Sequence, residues 1–70
     1  MPNPVQQLGH NIRALRLEKG WTQEQLADRA GLASVQISRV ERGAREIRLT
    51  TLVRLIEALE TTPDQILDGV

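Results

Sequence analysis

Gly31 sits between two short helical patterns, TQEQLADRA and SVQISRVERG, with only three residues separating them. A turn that tight makes the two helices pack against each other at a steep angle, and the rest of the chain must cover what they leave open. The first pattern opens on Thr22 with Gln25 three residues later. This spacing is a capping box, in which each side chain satisfies the other residue's free backbone N–H. Trp21 and Leu26 flank the box at the two positions of a hydrophobic staple, which fixes the angle at which the chain enters the helix. Gly31 then ends it, because the residue after the last turn takes φ > 0 without strain only as glycine. The second pattern has two faces. At 100° per residue, Ala33, Ile37 and Val40 fall on one side, while Val35, Arg39 and Arg42 form a stripe at i, i+4, i+7 on the other.

The formal net charge is zero, yet the charges are segregated. All nine Lys and Arg lie in residues 1–56, against five acids there (Glu18, Glu24, Asp28, Glu41 and Glu46), and residues 57–70 hold four acids and no base. Exposed charges act over roughly 8 Å at physiological salt, so the local field decides whether an anion is attracted. Arg39, Arg42, Arg45 and Arg48 recur every three residues through the second pattern and the segment after it. An evenly mixed, solvated surface would not gather them so. An apolar back with a basic, methyl-bearing front suits a helix that enters a nucleic-acid groove.

Seventy residues make one domain, and a chain this short buries too little surface to be more than marginally stable without a staple. It has no cysteine, hence neither a disulfide nor a thiolate metal site, and a reducing compartment is compatible. An enzyme fails on inventory. There is no Cys, no Tyr and one His, and Ser34 and Ser38 have no base within helical reach. The acids Glu57, Glu60, Asp64 and Asp68 read as a solvated helix face and not a cation site, and no EF-hand loop is present. No metal, cofactor or small-molecule ligand is expected. With no run of eighteen apolar residues and no charged-then-apolar leader, the chain is expected to avoid membranes and to reside in the cytoplasm.

Asn3 and Pro4 read as the cap and first residue of an opening helix, in which Val5, Leu8, Ile12 and Leu15 repeat at helical spacing until Gly20. Residues 43–48 form a basic connector. A fourth helix is signalled by Leu49, Leu52, Val53, Ile56 and Leu59, and Thr62-Pro63-Asp64-Gln65 caps a short fifth one holding Ile66 and Leu67. No strand pattern, internal repeat or long linker is visible. The expected fold is all-α, a compact bundle of five short helices built around a helix-turn-helix.

The run IRALRLEKGWTQEQLADRAGLASVQISRVERG resembles the helix-turn-helix proteins of the phage-repressor and Cro (XRE-like) type, and LVRLIEALETTPDQIL resembles their last two helices. Arg16, Gly20, Thr22-Gln23, Leu26-Ala27, Gly31, Ile37-Ser38, Glu41 and Gly43 hold that family's usual residue types at its usual spacing. The resemblance spans residues 8–68, with the motif over 23–42 and a recognition helix over about 34–42. It implies a transcriptional regulator that binds double-stranded DNA, usually as a homodimer. On the matching positions, Ser34, Val35 and Arg39 would read bases, with Gln36 and Ser38 on the flanks reaching bases or phosphates. Arg39 could grip guanine O6 and N7 bidentately and Val35 could touch a thymine methyl. Gln23 would meet a phosphate where helix N–H groups also point at an anion, and Arg42, Arg45 and Arg48 would do the same without reading sequence. Arg16 and Glu41 match an internal ion pair between the first and third helices.

The chain departs from that pattern in three places. Ala33 stands where the recognition helix usually has a Ser or Thr cap, so either Ser34 caps it one residue later or its start is less well satisfied. Ile47 replaces a proline before the fourth helix, and Trp21, the sole aromatic, is expected in the core. The chain's length leaves no room for a ligand-sensing domain, which suggests a small stand-alone regulator of phage or restriction–modification controller kind; a start at Met1 fits a whole protein, and the other end fits an excised domain equally. The dimer is expected through the fourth and fifth helices, using Ile66, Leu67 and Val70, which have little sequence left to cover them. The rival is a protein-interaction module or antitoxin-type adaptor on the same fold with weak DNA binding. The arginine stripe, and the absence of aromatics to anchor a protein interface, favour DNA.

Overall fold

The computed structural model describes residues 3–70 and, among these, consists of five helices joined by short turns: α1 (Pro4–Glu18), α2 (Gln23–Ala30), α3 (Ser34–Arg42), α4 (Leu49–Leu59) and α5 (Pro63–Ile66). Met1 lies outside the described residues. Each start has a local cause. Asn3 Oδ1 accepts from Val5 N at 2.9 Å ahead of Pro4. Thr22 and Gln25 exchange both bonds of the capping box, at 3.1 and 2.8 Å, and Thr62 Oγ1 accepts from Gln65 N at 3.2 Å. Gly31 and Gly43 close α2 and α3 in the left-handed region, at φ 68° and 63°. In both cases the following N–H reaches back to close the turn, Leu32 to Ala27 O and Ala44 to Arg39 O.

All five helices feed one core. Ile12, Leu26, Ile37, Leu55, Leu59 and Ile66 are its largest fully buried side chains, each contributing about 1.5–3 kcal/mol by burial. Trp21, expected in the core, is partly buried and packs against the margin of this cluster. Its ring lies 4.3 Å from the Arg29 guanidinium and 5.4 Å from Lys19 Nζ.

α3 packs between α1 and α2, so its pose is set by two neighbours. At the far end, Asn11 on α1 fixes the chain terminus: its Nδ2 donates to the carbonyls of Ile66 (2.9 Å) and Asp68 (2.7 Å), while its Oδ1 accepts from Gln7 Nε2 (3.0 Å). This corrects the expectation that Ile66 is left uncovered for a partner. α5 folds back on α1, and Ile66 is fully buried in its own chain. Leu67 and Val70 stay exposed. Leu49, expected on the apolar face of α4, is 74% exposed, and Val53 one turn on is 43% exposed. Ala33 is also exposed, not on the buried side of α3. It is the cap residue with extended backbone (φ −86°, ψ 148°), so helical spacing does not govern it. No helix among the described residues is long and apolar enough to cross a membrane.

Candidate nucleic-acid interface

The back of α3 is anchored by charge as well as by Ile37. Arg16 grips Glu41 with both arms of its fork, Nε to Oε2 at 2.7 Å and Nη2 to Oε1 at 2.9 Å, while Nη1 donates to the Trp21 carbonyl at 2.7 Å. The two side chains are 10% and 4% exposed. The hydrogen bonds it donates to Glu41 hold the Arg16 guanidinium more firmly protonated than an ordinary arginine, against the opposing pull of burial. Gln23, the first residue of α2, donates from Nε2 to the same Glu41 Oε1 at 3.3 Å. A single carboxylate thus ties α1, α2 and α3 together, and no buried side-chain nitrogen or oxygen among the described residues lacks a partner.

The front of α3 is open. Ser34, Val35, Gln36 and Arg39 are exposed and Ser38 is half-buried on the flank. Ser34 and Gln23 line one groove with Arg16, Thr22 and Glu24, so the starts of α2 and α3 border the same opening. On the other flank a groove of about 440 Å³ gathers Gln36, Arg39, Arg45, Arg48 and Thr51, with Glu46 as its one acid. α4 begins at the edge of that groove with no side-chain cap and no acid in its first turn, which leaves the positive end of its dipole unopposed. Arg42 lies at the end of α3 toward α1, in a separate groove with Gln6 and His10. Arg16–Glu41 is the one ion pair recorded among the described residues. The guanidiniums of Arg39, Arg42, Arg45 and Arg48 are therefore not spent on carboxylates.

Some contributors carry no signal that sequence reading used. Arg54 on α4 donates from Nη1 to the Gly31 carbonyl at 3.3 Å, bracing the turn between α2 and α3. Gly9 allows α1 to approach the carbonyls of Val40 and Glu41. Neither Ser34 nor Ala33 caps α3 through a side chain. Instead Gln36 Oε1 accepts from Ala33 N at 2.9 Å, half of a capping box, and a Gln three residues after the cap position is the signal that could have pointed to it.

The family model described as helix-turn-helix matches residues 12–66. The chain is 40% identical over 60 residues to the control protein C.SmaI of Serratia marcescens, covering 86% of this chain and 71% of that one. It is 38% identical over 60 residues to a hypothetical transcription factor of Neisseria meningitidis, of which it spans only 57%. Its fold superposes on the restriction-modification controller protein C.Esp1396I, crystallised as a tetramer with its natural 35 base-pair operator. The TM-score is 0.86 at 29% identity, over 97% of this chain and 90% of that one. A five-helix bundle with a capped α2, a glycine turn and an outward basic α3, matched over this span, belongs to the XRE-like helix-turn-helix family.

Proposed function

We propose that this chain is a sequence-specific DNA-binding transcriptional regulator, working in the cytoplasm as a dimer on a palindromic operator, with α3 in the major groove. The observation that carries this reading is the outward face of α3. It sets the exposed Val35 beside the exposed Arg39, with no carboxylate paired to that guanidinium, on a helix whose back is locked into the core. A helix presented in this way offers a bidentate donor for guanine and a methyl surface for thymine. Ser34 and the half-buried Ser38 sit together on one flank of this pair as further base contacts. Gln23, Arg42, Arg45 and Arg48 surround them as phosphate contacts that set the register of the helix. The operator complex of the similar C.Esp1396I supports DNA as the partner. Its work is binding, not catalysis.

The test is a selection of duplexes from a random pool, followed by titration of the enriched and a scrambled duplex at two salt concentrations. The reading requires an enriched palindromic sequence bound about 10³-fold or more tighter than the scrambled one at physiological salt. Equal affinity for both duplexes would leave only electrostatic adhesion and would favour the protein-interaction reading.

A further inference from the structure

We infer that Gln36 is a phosphate-facing donor, its amide oxygen turned back onto the start of α3; the inference rests on the DNA-reading assignment above. Ala33 occupies the cap position and has no side-chain oxygen to offer the N–H groups of the first turn. Gln36 supplies the half of the box that remains, its Oε1 accepting from Ala33 N at 2.9 Å. Only an oxygen can accept from a backbone N–H, so chemistry fixes which way the amide points, and the NH2 is the end left over. Gln36 is exposed and lines the same groove as Arg39, Arg45 and Arg48. A glutamine reads adenine by presenting both ends of its amide, oxygen to N6 and nitrogen to N7. With the oxygen turned back onto the helix start, that pairing is lost and a donor remains. In a groove with three guanidiniums against the single carboxylate of Glu46, the matching group on DNA is an anionic phosphate oxygen, which positions the protein without specifying sequence. Of the two roles its position left open, bases or phosphates, Gln36 therefore takes the second, holding the start of α3 with one end and the DNA backbone with the other.

Two substitutions separate the ends. Gln36→Glu keeps an acceptor for Ala33 N but removes the donor and sets a negative charge toward the phosphates. Gln36→Lys keeps donors and removes the acceptor. Each is compared with the wild type by thermal melting, by titration of the selected and scrambled duplexes, and by a fresh selection from the random pool. The expected result is a crossed pattern. Q36E melts at or above the wild type and binds both duplexes about tenfold or more weakly, whereas Q36K melts lower and binds both as tightly or tighter. Both variants return the wild-type preferred sequence. A changed preference at any base pair, or Q36E binding as tightly as the wild type, overturns the inference. If the wild type enriches no sequence at all, sequence reading is what fails, and the crossed pattern of melting and scrambled-duplex affinity still decides the role of Gln36.

Discussion

Gly9 shows how the absence of one atom sets the pose of α3. A Cβ at that position would stand 2.4 Å from the Val40 carbonyl oxygen and 2.7 Å from that of Glu41, both backbone atoms of α3. In an exposed helix interior, Gly→Ala would stabilise by about 0.5–1 kcal/mol. Here α1 and α3 would have to separate, so Gly9→Ala is expected to destabilise by about 1–3 kcal/mol in chemical denaturation. A neutral or stabilised variant would show that the two backbones can slide apart freely. The sequence displays a glycine within a helical pattern but not the carbonyls it faces. Val35, Arg39, Arg16 and Glu41 were legible because helical phase alone gives their faces. Asn11 and Arg54 were not, since their partners lie 55 or more and 23 residues away and no local pattern announces them.

At the level of elements, the caps and the glycine stops read directly from sequence because both ends of each interaction fall within a few residues. α4 was harder to read. The expected pattern takes in Leu49 and Val53, which are exposed, beside the buried Leu59 and leaves out Leu55, which is fully buried, because a hydrophobic count cannot separate a core face from an outward one. It stops at Glu60, the one non-glycine residue with positive φ among those described, and no sequence signal marks that stop. The start of α3 offers a direct check. Ala33→Ser would supply the missing oxygen to Gln36 N and complete the box, raising stability by about 0.5–1 kcal/mol, measured as a shift in the denaturation midpoint with unchanged m-value. Coupling between elements is tested at Arg16 and Glu41. Arg16→Met or Glu41→Gln alone strands a nearly buried partner and is expected to cost about 3–5 kcal/mol. The double variant should recover a substantial part, and a coupling energy near zero in the cycle would mean that the pair does not bind α1 to α3.

At the scale of the whole molecule, the protein measures 32 × 21 × 21 Å along its principal axes. It is basic through α3 and the connector after it and acidic beyond residue 57. Leu49 and Val53 on α4, with Leu67 and Val70 at the chain end, leave large apolar side chains in water, which a domain of this size has reason to cover. A two-fold dimer through α4 and α5 would do so and would set two copies of α3 in successive major grooves, roughly 34 Å apart. Sedimentation with a palindromic duplex should then give two chains per duplex, and Leu67→Glu should weaken assembly while leaving the fold of the single chain intact. One chain per duplex at saturation, with no gain in affinity from the second half-site, would rule the dimer out.

The proposed division of labour is that the outward face of α3 specifies sequence while the arginines around it supply affinity. Its most direct test sets Arg39→Ala beside Arg45→Ala, each titrated against the selected and the scrambled duplex across a salt series. Arg39→Ala should lose about 1–3 kcal/mol on the selected duplex and little on the scrambled one. Arg45→Ala should weaken both alike and reduce the salt slope by about one ion. If both variants weakened the two duplexes to the same extent, Arg39 would be one more phosphate contact and α3 would not be the reading helix.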